Sequence, residues 1–165
     1  MTDFDIRPFE WADIPQITAI YRHEVLHNTA TFDTEPLSES QMAAKFGPML
    51  EMGHPLYVAV HEDDLLGYAY ASVYRPRLAY RFTCENTVYC APEAQKMGVG
   101  TALMETIIDR SRAFGFKQMI AVITSESAGS IRLHEKLGFR VVGNYEAVGF
   151  KFDRWLDIVH MQQAL

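Results

Sequence analysis

The stretch CAPEAQKMGVGTALMETIIDRSRAFG, Cys90–Gly115, closes one apolar run and opens a helix on two glycines, Gly98 and Gly100. Helices start most often on Ser, Thr, Asp or Asn, whose side chains cap the free N–H groups. Glycines at that place instead let another group approach the backbone, and the free N–H groups of a helix start suit a phosphate. From Gly98 to Phe114 the apolar residues keep a helical period: Val99, Ala102, Leu103 and Ile107 form one side, and Met104 and Ile108 widen it. Glu105, Asp109 and Arg112 lie opposite. The helix is amphipathic and should cover a sheet.

On the N-terminal side of this helix the pattern is that of strands. LYVAVHE (56–62), LLGYAYASVY (65–74) and RFTCENTVYC (81–90) are β-rich runs. An Asp63-Asp64 turn makes the first two an antiparallel hairpin, and the Arg-rich bend RPRLAY (75–80) leads into the third. On the C-terminal side KQMIAVIT (117–124) is a short strand. A strand-helix-strand from Tyr80 to Thr124 therefore implies a parallel pair with a right-handed crossover. Ser127 to Leu137 reads as another helix with Gly138 at its exit, and two strands close the chain.

Before all of these, Asp3 to Arg7 is extended, and Trp11 to Leu26 has helical spacing at Ile14, Ile17, Ile20, Tyr21 and Val25. NTATFDTEP (28–36) is a loop rich in turn formers. A helix from about Ser38 to Met52 follows, with Ser38 as cap and Gln41 at the capping-box position. The predicted order is β-α-α-β-β-β-α-β-α-β-β, an α+β fold with a mixed, mostly antiparallel central sheet flanked by helices.

The 165 residues, without repeat or linker, are expected to form a single domain, 1–165. A hydrophobic fraction of 48% without a long apolar run argues against a membrane span. The start, Met-Thr-Asp-Phe-Asp-Ile-Arg, lacks the regions of a signal peptide. A net charge of −6 argues against general nucleic-acid binding. Cys84 and Cys90, in one strand and roughly 20 Å apart at about 3.3 Å per residue, are too distant for a disulfide, so reduced thiols and a cytoplasmic setting are expected. No spacing of His or Cys suggests a metal site.

Three phosphate-binding patterns compete for the two glycines. A Walker A loop needs a Gly-Lys-Ser/Thr that is absent here, and a dinucleotide fingerprint would need Gly where Leu103 stands. The third, Q/R-x-x-G-x-G/A, is met by Gln95, Gly98 and Gly100, with SIRLHEKLGF (130–139) downstream. In that order the chain resembles the acyl-CoA-binding N-acetyltransferases of the GNAT superfamily. YRPRLAYRFTCENTVY (74–89), SIRLHEKLGF and VGFKFDRWLDIVHMQ (148–162) are similar to the phosphinothricin and methionine sulfoximine acetyltransferase branch. That branch usually carries Arg-Gly-x-Gly where Gln95-Lys96-Met97-Gly98 stands, and often Asn in place of Ser127.

The resemblance implies the GNAT fold, acetyl-CoA as co-substrate and a small amine as acceptor. It places CoA against Lys96, Met97, Gly98, Val99, Gly100, Thr101 and Ser127, and against the strand end Val88, Tyr89 and Cys90, whose backbone would also face the oxyanion. Glu85 shares a strand face with Thr83, Thr87 and Tyr89. It is a general base by resemblance, or an ion-pair partner of Arg75, Arg77 or Arg81. His134 is a candidate general acid, or a capped core residue. Arg75, Pro76 and Arg77 border the amine site by resemblance, or form a solvated charged bend. Phe32 walls the pocket or packs under its loop. A homodimer is implied. Acetylation of another small amine or of a protein N-terminus, and an acyl-CoA-binding module without turnover, stay open as alternatives.

Overall fold

A computed structural model of the chain describes residues 3–165; Met1 and Thr2 of the N-terminal stretch lie outside the described residues. Its elements follow the predicted order: β1 (Asp5–Pro8), α1 (Ile14–His27), α2 (Glu39–Glu51), β2 (Leu56–His61), β3 (Asp64–Val73), β4 (Thr83–Cys90), α3 (Val99–Phe114), β5 (Gln118–Thr124), α4 (Ala128–Lys136), β6 (Arg140–Lys151) and β7 (Arg154–Ala164). The seven strands form one sheet in the order β1-β2-β3-β4-β5-β7-β6. All its pairings are antiparallel except β4 with β5.

Local chemistry sets several boundaries. Ser38 caps α2 and exchanges hydrogen bonds with Gln41, satisfying N–H groups at both ends of the first turn. The first helix begins later than its apolar period suggests. Arg7 holds Asp13 in a bidentate pair at 2.7 and 2.8 Å, and Asp13 also accepts from the Glu10 N–H, so Trp11–Asp13 form a 3₁₀ turn ahead of α1. α3 turns Val99, Leu103, Met104, Ile107 and Ile108 onto the sheet, where all are buried. Cys84 and Cys90 are both free thiols in β4.

One departure from regular pairing positions the site. β4 pairs with β3 along nearly its whole length, from Cys84 to Cys90, but with β5 only over Thr83, Cys84 and Glu85. Beyond Glu85 and Ile120 the two parallel strands separate. The β4 edge from Asn86 to Cys90 therefore faces a fork rather than a neighbouring ladder, and its backbone groups there need partners from elsewhere.

Candidate active site

Two cavities open at the fork. The smaller, about 270 Å³, is lined by Glu85, Asn86, Thr87, Val88 and Tyr89 of β4, by residues of β5, by Ser127, Ser130 and His134, and by the loop Thr29–Phe32. The larger, about 710 Å³, runs past Val88, Cys90, Lys96, Gly98, Gly100, Thr101, Ser127, Arg132 and Arg154. The cavities share Thr29, Ala30, Val88, Ser127 and Ser130, so they abut along the separated edge of β4.

The larger cavity is built for an anion at one end. α3 starts on Gly98 at φ +86° with no side-chain cap, so its first N–H groups and the positive end of its dipole are left to a ligand. A Cβ placed on Gly98 would meet no protein atom within 4 Å; it would project into open space at the helix mouth. Val99 buries its side chain completely and can offer the groove only backbone, while Met97 packs against the core with part of its side chain exposed. Arg132 adds positive charge that the sequence does not single out, and Arg154 lines the groove with its charge matched by Glu126 on the same wall. Arg154 is bound bidentately by Glu126 at 2.5 and 2.8 Å, and this pair, with a bond from Thr29, holds the Glu126 carboxyl down to about 2.

Lys96 lies at φ +64°, a left-handed conformation that costs an L residue about 1–2 kcal/mol. The resembling branch usually has Gly at this position. We expect Lys96→Gly to raise the stability of the free protein by about 0.5–1 kcal/mol once the extra freedom of glycine in the unfolded chain is subtracted, and to weaken CoA binding by removing a charge. Scanning calorimetry and isothermal titration with CoA check the two opposite signs.

In the smaller cavity Glu85 is half-buried, and burial raises its pKa while the charge of Arg75 pulls it back. Glu85 and Arg75 are thus within electrostatic reach of each other. Arg75 itself is exposed and its guanidinium lies over the Tyr74 ring. Pro76 and Arg77 are exposed and line neither cavity. Phe32 lies on the cavity wall with its ring against the backbone of Gly149.

His134 is buried, with both ring nitrogens engaged: Nδ1 lies 2.8 Å from the Ser130 carbonyl oxygen and Nε2 lies 3.0 Å from Asn86 Oδ1. Asn86 spans the fork, its amide donating to the Ile120 carbonyl at 3.3 Å. Both partners of the ring are acceptors, so this frame is complementary to the doubly protonated imidazolium. Burial acts the other way and lowers the His134 pKa, with the Ser130 carbonyl opposing that shift. A neutral ring fits the frame when the Asn86 amide turns over, which gives up its bond to Ile120. Asn86 was not singled out in the sequence reading, because its neighbour is 48 residues away and only the fork brings the two together.

Among the described residues no group of three or more His, Cys, Asp or Glu side chains gathers as metal ligands do. Nor is any helix long and apolar enough to cross a membrane.

Residues 17–139 match the family model described as acetyltransferase (GNAT) family. The chain is 46% identical to a phosphinothricin N-acetyltransferase of Alcaligenes faecalis, over 93% of its own length and 78% of the relative's. It is 39% identical to an L-methionine sulfoximine/L-methionine sulfone acetyltransferase of Pseudomonas aeruginosa, over 97% of its length and 94% of the relative's. A GNAT phosphinothricin acetyltransferase from Sinorhizobium meliloti, solved in complex with acetyl-CoA, superposes with a TM-score of 0.96 at 44% identity, covering 100% of this chain and 89% of that one.

Proposed function

The chain belongs to the acetyltransferase (GNAT) family, and on that premise we propose that it transfers the acetyl group of acetyl-CoA to the α-amino group of a small amino-acid analogue, of the phosphinothricin or methionine sulfoximine kind. The observation that carries this reading is the pairing of a long groove ending on an uncapped helix start with a cavity of about 270 Å³ that holds a half-buried carboxylate. Free-thiol release from acetyl-CoA, measured with a panel of amino-acid analogues and short peptides, tests the substrate class. Turnover of the analogues and not of the peptides is expected; peptides turned over in preference would overturn it.

Acetyl-CoA supplies an activated thioester carbonyl. The N–H groups from Lys96 to Thr101 receive its pyrophosphate, and the open edge of β4 pairs with the pantetheine amides in the manner of an added strand. N–H groups from Val88 to Cys90 are the proposed donors to the carbonyl oxygen as negative charge develops on it. Glu85 takes the proton of the substrate ammonium, directly or through a water. The amine nitrogen then bonds to the carbonyl carbon and releases its second proton to solvent, the carbon–sulfur bond breaks, and the sulfur leaves with the bonding pair. Phe32 walls the amine, and Arg75 and Arg77 offer charge to its acidic groups at the rim.

His134 is the proposed proton donor to the departing sulfur, and only its cation can donate. Because burial lowers its pKa, that form is present below the lowered pKa and is lost as the pH rises through it. His134→Gln is accordingly expected to lower kcat several-fold near pH 6 and to have little effect near pH 9, in the manner of a general acid. A loss of equal size at both pH values assigns the residue to the fork's architecture instead.

A cytoplasmic homodimer completes the proposal. β6 and β7 leave Val148, Phe150 and Trp155 exposed beside one another at the sheet edge, an apolar surface of the kind that marks an interface. Light scattering at twice the 18.8 kDa chain mass supports it.

A further inference from the structure

β6 carries two residues whose side of the strand is buried although most of the strand is exposed, Gly149 and Lys151. They stand two apart on one face, and both meet the loop that follows α1. The Lys151 ammonium is buried and donates to two main-chain carbonyls, Asn28 O and Thr31 O, each at 2.7 Å. The Phe32 ring lies so close to Gly149 that a Cβ there would fall 2.2 Å from its Cε2 atom, a distance no side chain tolerates. The loop is thus pinned at both ends of one turn by a single cation, and its aromatic tip is seated on a bare stretch of strand.

We propose that Gly149 and Lys151 form a latch that fixes the loop Asn28–Phe32 as the wall of the amine cavity, making Lys151 a positioning residue for the amine substrate. This rests on the assignment of the smaller cavity to the amine. Two inward-turned carbonyls need donors, and the buried Lys151 supplies both. The cation is matched in turn by Glu24, a buried carboxylate on the last turn of α1, and by Asp33. Other ties to the loop act elsewhere: Tyr21 bonds the side chains of Thr31 and Asp33, and Thr29 bonds Thr124 at 3.2 Å and Glu126 at 2.7 Å. Thr31 and Phe32 face only the smaller cavity, Thr29 and Ala30 face both, and Asn28 faces only the larger; Thr29 is held independently of Lys151. Release of the latch should therefore loosen the amine side, where Thr31 and Phe32 stand, much more than the CoA side.

Hydrogen exchange on Lys151→Met and steady-state kinetics in both substrates test the latch. Amides from Asn28 to Asp33 are expected to exchange at least about 10-fold faster in the free variant, with amine KM raised about 10-fold, acetyl-CoA KM changed less than about twofold and kcat nearly unchanged. A structural loss alone would move both KM values or speed exchange throughout the sheet, and that result overturns the proposal, as does unchanged exchange in the loop. Gly149→Ala provides a second reading that leaves Lys151 in place. It should speed loop exchange when Phe32 is present and add nothing to Phe32→Ala; equal effects in the two backgrounds contradict the latch. The exchange measurements use the protein without substrate, so they decide the latch even if the substrate class proves different.

Discussion

Replacing Glu85 by Gln is expected to lower kcat/KM for the amine about 10- to 100-fold near pH 7, and by progressively less as the pH rises. The reason lies in the substrate as much as in the enzyme. An α-amine with a pKa of about 8 is roughly one-tenth neutral at pH 7, so the free amine that must attack is scarce but not rare. General-base catalysis is commonly worth about 10²–10⁴-fold, and an acceptor already part-deprotonated places the loss at or below the low end of that range. Above about pH 9 the amine is neutral without help, and the variant should approach the parent protein. Burial raises the Glu85 pKa and Arg75 pulls it back, so the base form is lost as pH falls through that raised value, and the acidic limb of the parent profile should lie above an ordinary carboxylate. A deficit that stays constant with pH would assign Glu85 to orientation of the substrate. Full activity at pH 7 would remove it from the chemistry.

The second large effect is expected at Gly98. Its φ of +86° belongs to the left-handed region, where a side chain costs about 1–2 kcal/mol; with the unfolded-chain entropy that glycine contributes subtracted, Gly98→Val should lower the stability of the free protein by about 0.5–1 kcal/mol. The larger consequence concerns the ligand. Since a Cβ at this position touches nothing in the protein, the added isopropyl group points out at the helix mouth, where the pyrophosphate would approach. We expect CoA affinity to fall about 100-fold, which corresponds to about 2.7 kcal/mol, with amine KM much less affected. Titration calorimetry with CoA separates the two consequences. Loss of stability with unchanged CoA affinity would move the phosphates away from α3.

These two residues also mark how far the sequence is readable. Gly98 and the helix behind it stand out because their signals are local: two glycines, a period of about 3.6 and a strand immediately before. The capping box of α2 and the β2–β3 hairpin are local in the same sense. Glu85 is visible for a related reason, since a carboxylate in the middle of a central strand is costly without a task. Asn86 sits beside it and passes unnoticed, because what makes it important is the separation of β4 from β5, a property of two strands and not of either one.

Lys151 is more remote still. It stands 123 residues from Asn28, and nothing in VGFKF indicates that the ammonium turns inward to bond a distant loop. The bend Arg75-Pro76-Arg77 is placed beside the amine site by resemblance alone; in the fold it is exposed at the rim, with Arg75 acting on Glu85 through space and Pro76 and Arg77 outside the lining of both cavities. Lys96 is intermediate. The sequence shows Lys where the resembling branch has Gly, and only the backbone angle explains why Gly suits that place.

The central claim is that one cavity at the fork takes the amine and the adjoining groove takes CoA. A crystal structure with CoA and a methionine sulfoximine or phosphinothricin molecule bound together tests it most directly. The pyrophosphate is expected against the N–H groups of Lys96 to Thr101, the pantetheine along the open edge of β4, and the α-amine within reach of Glu85 in the cavity walled by Phe32. A pyrophosphate bound away from the start of α3, or an α-amine outside the Glu85 cavity, would contradict the account.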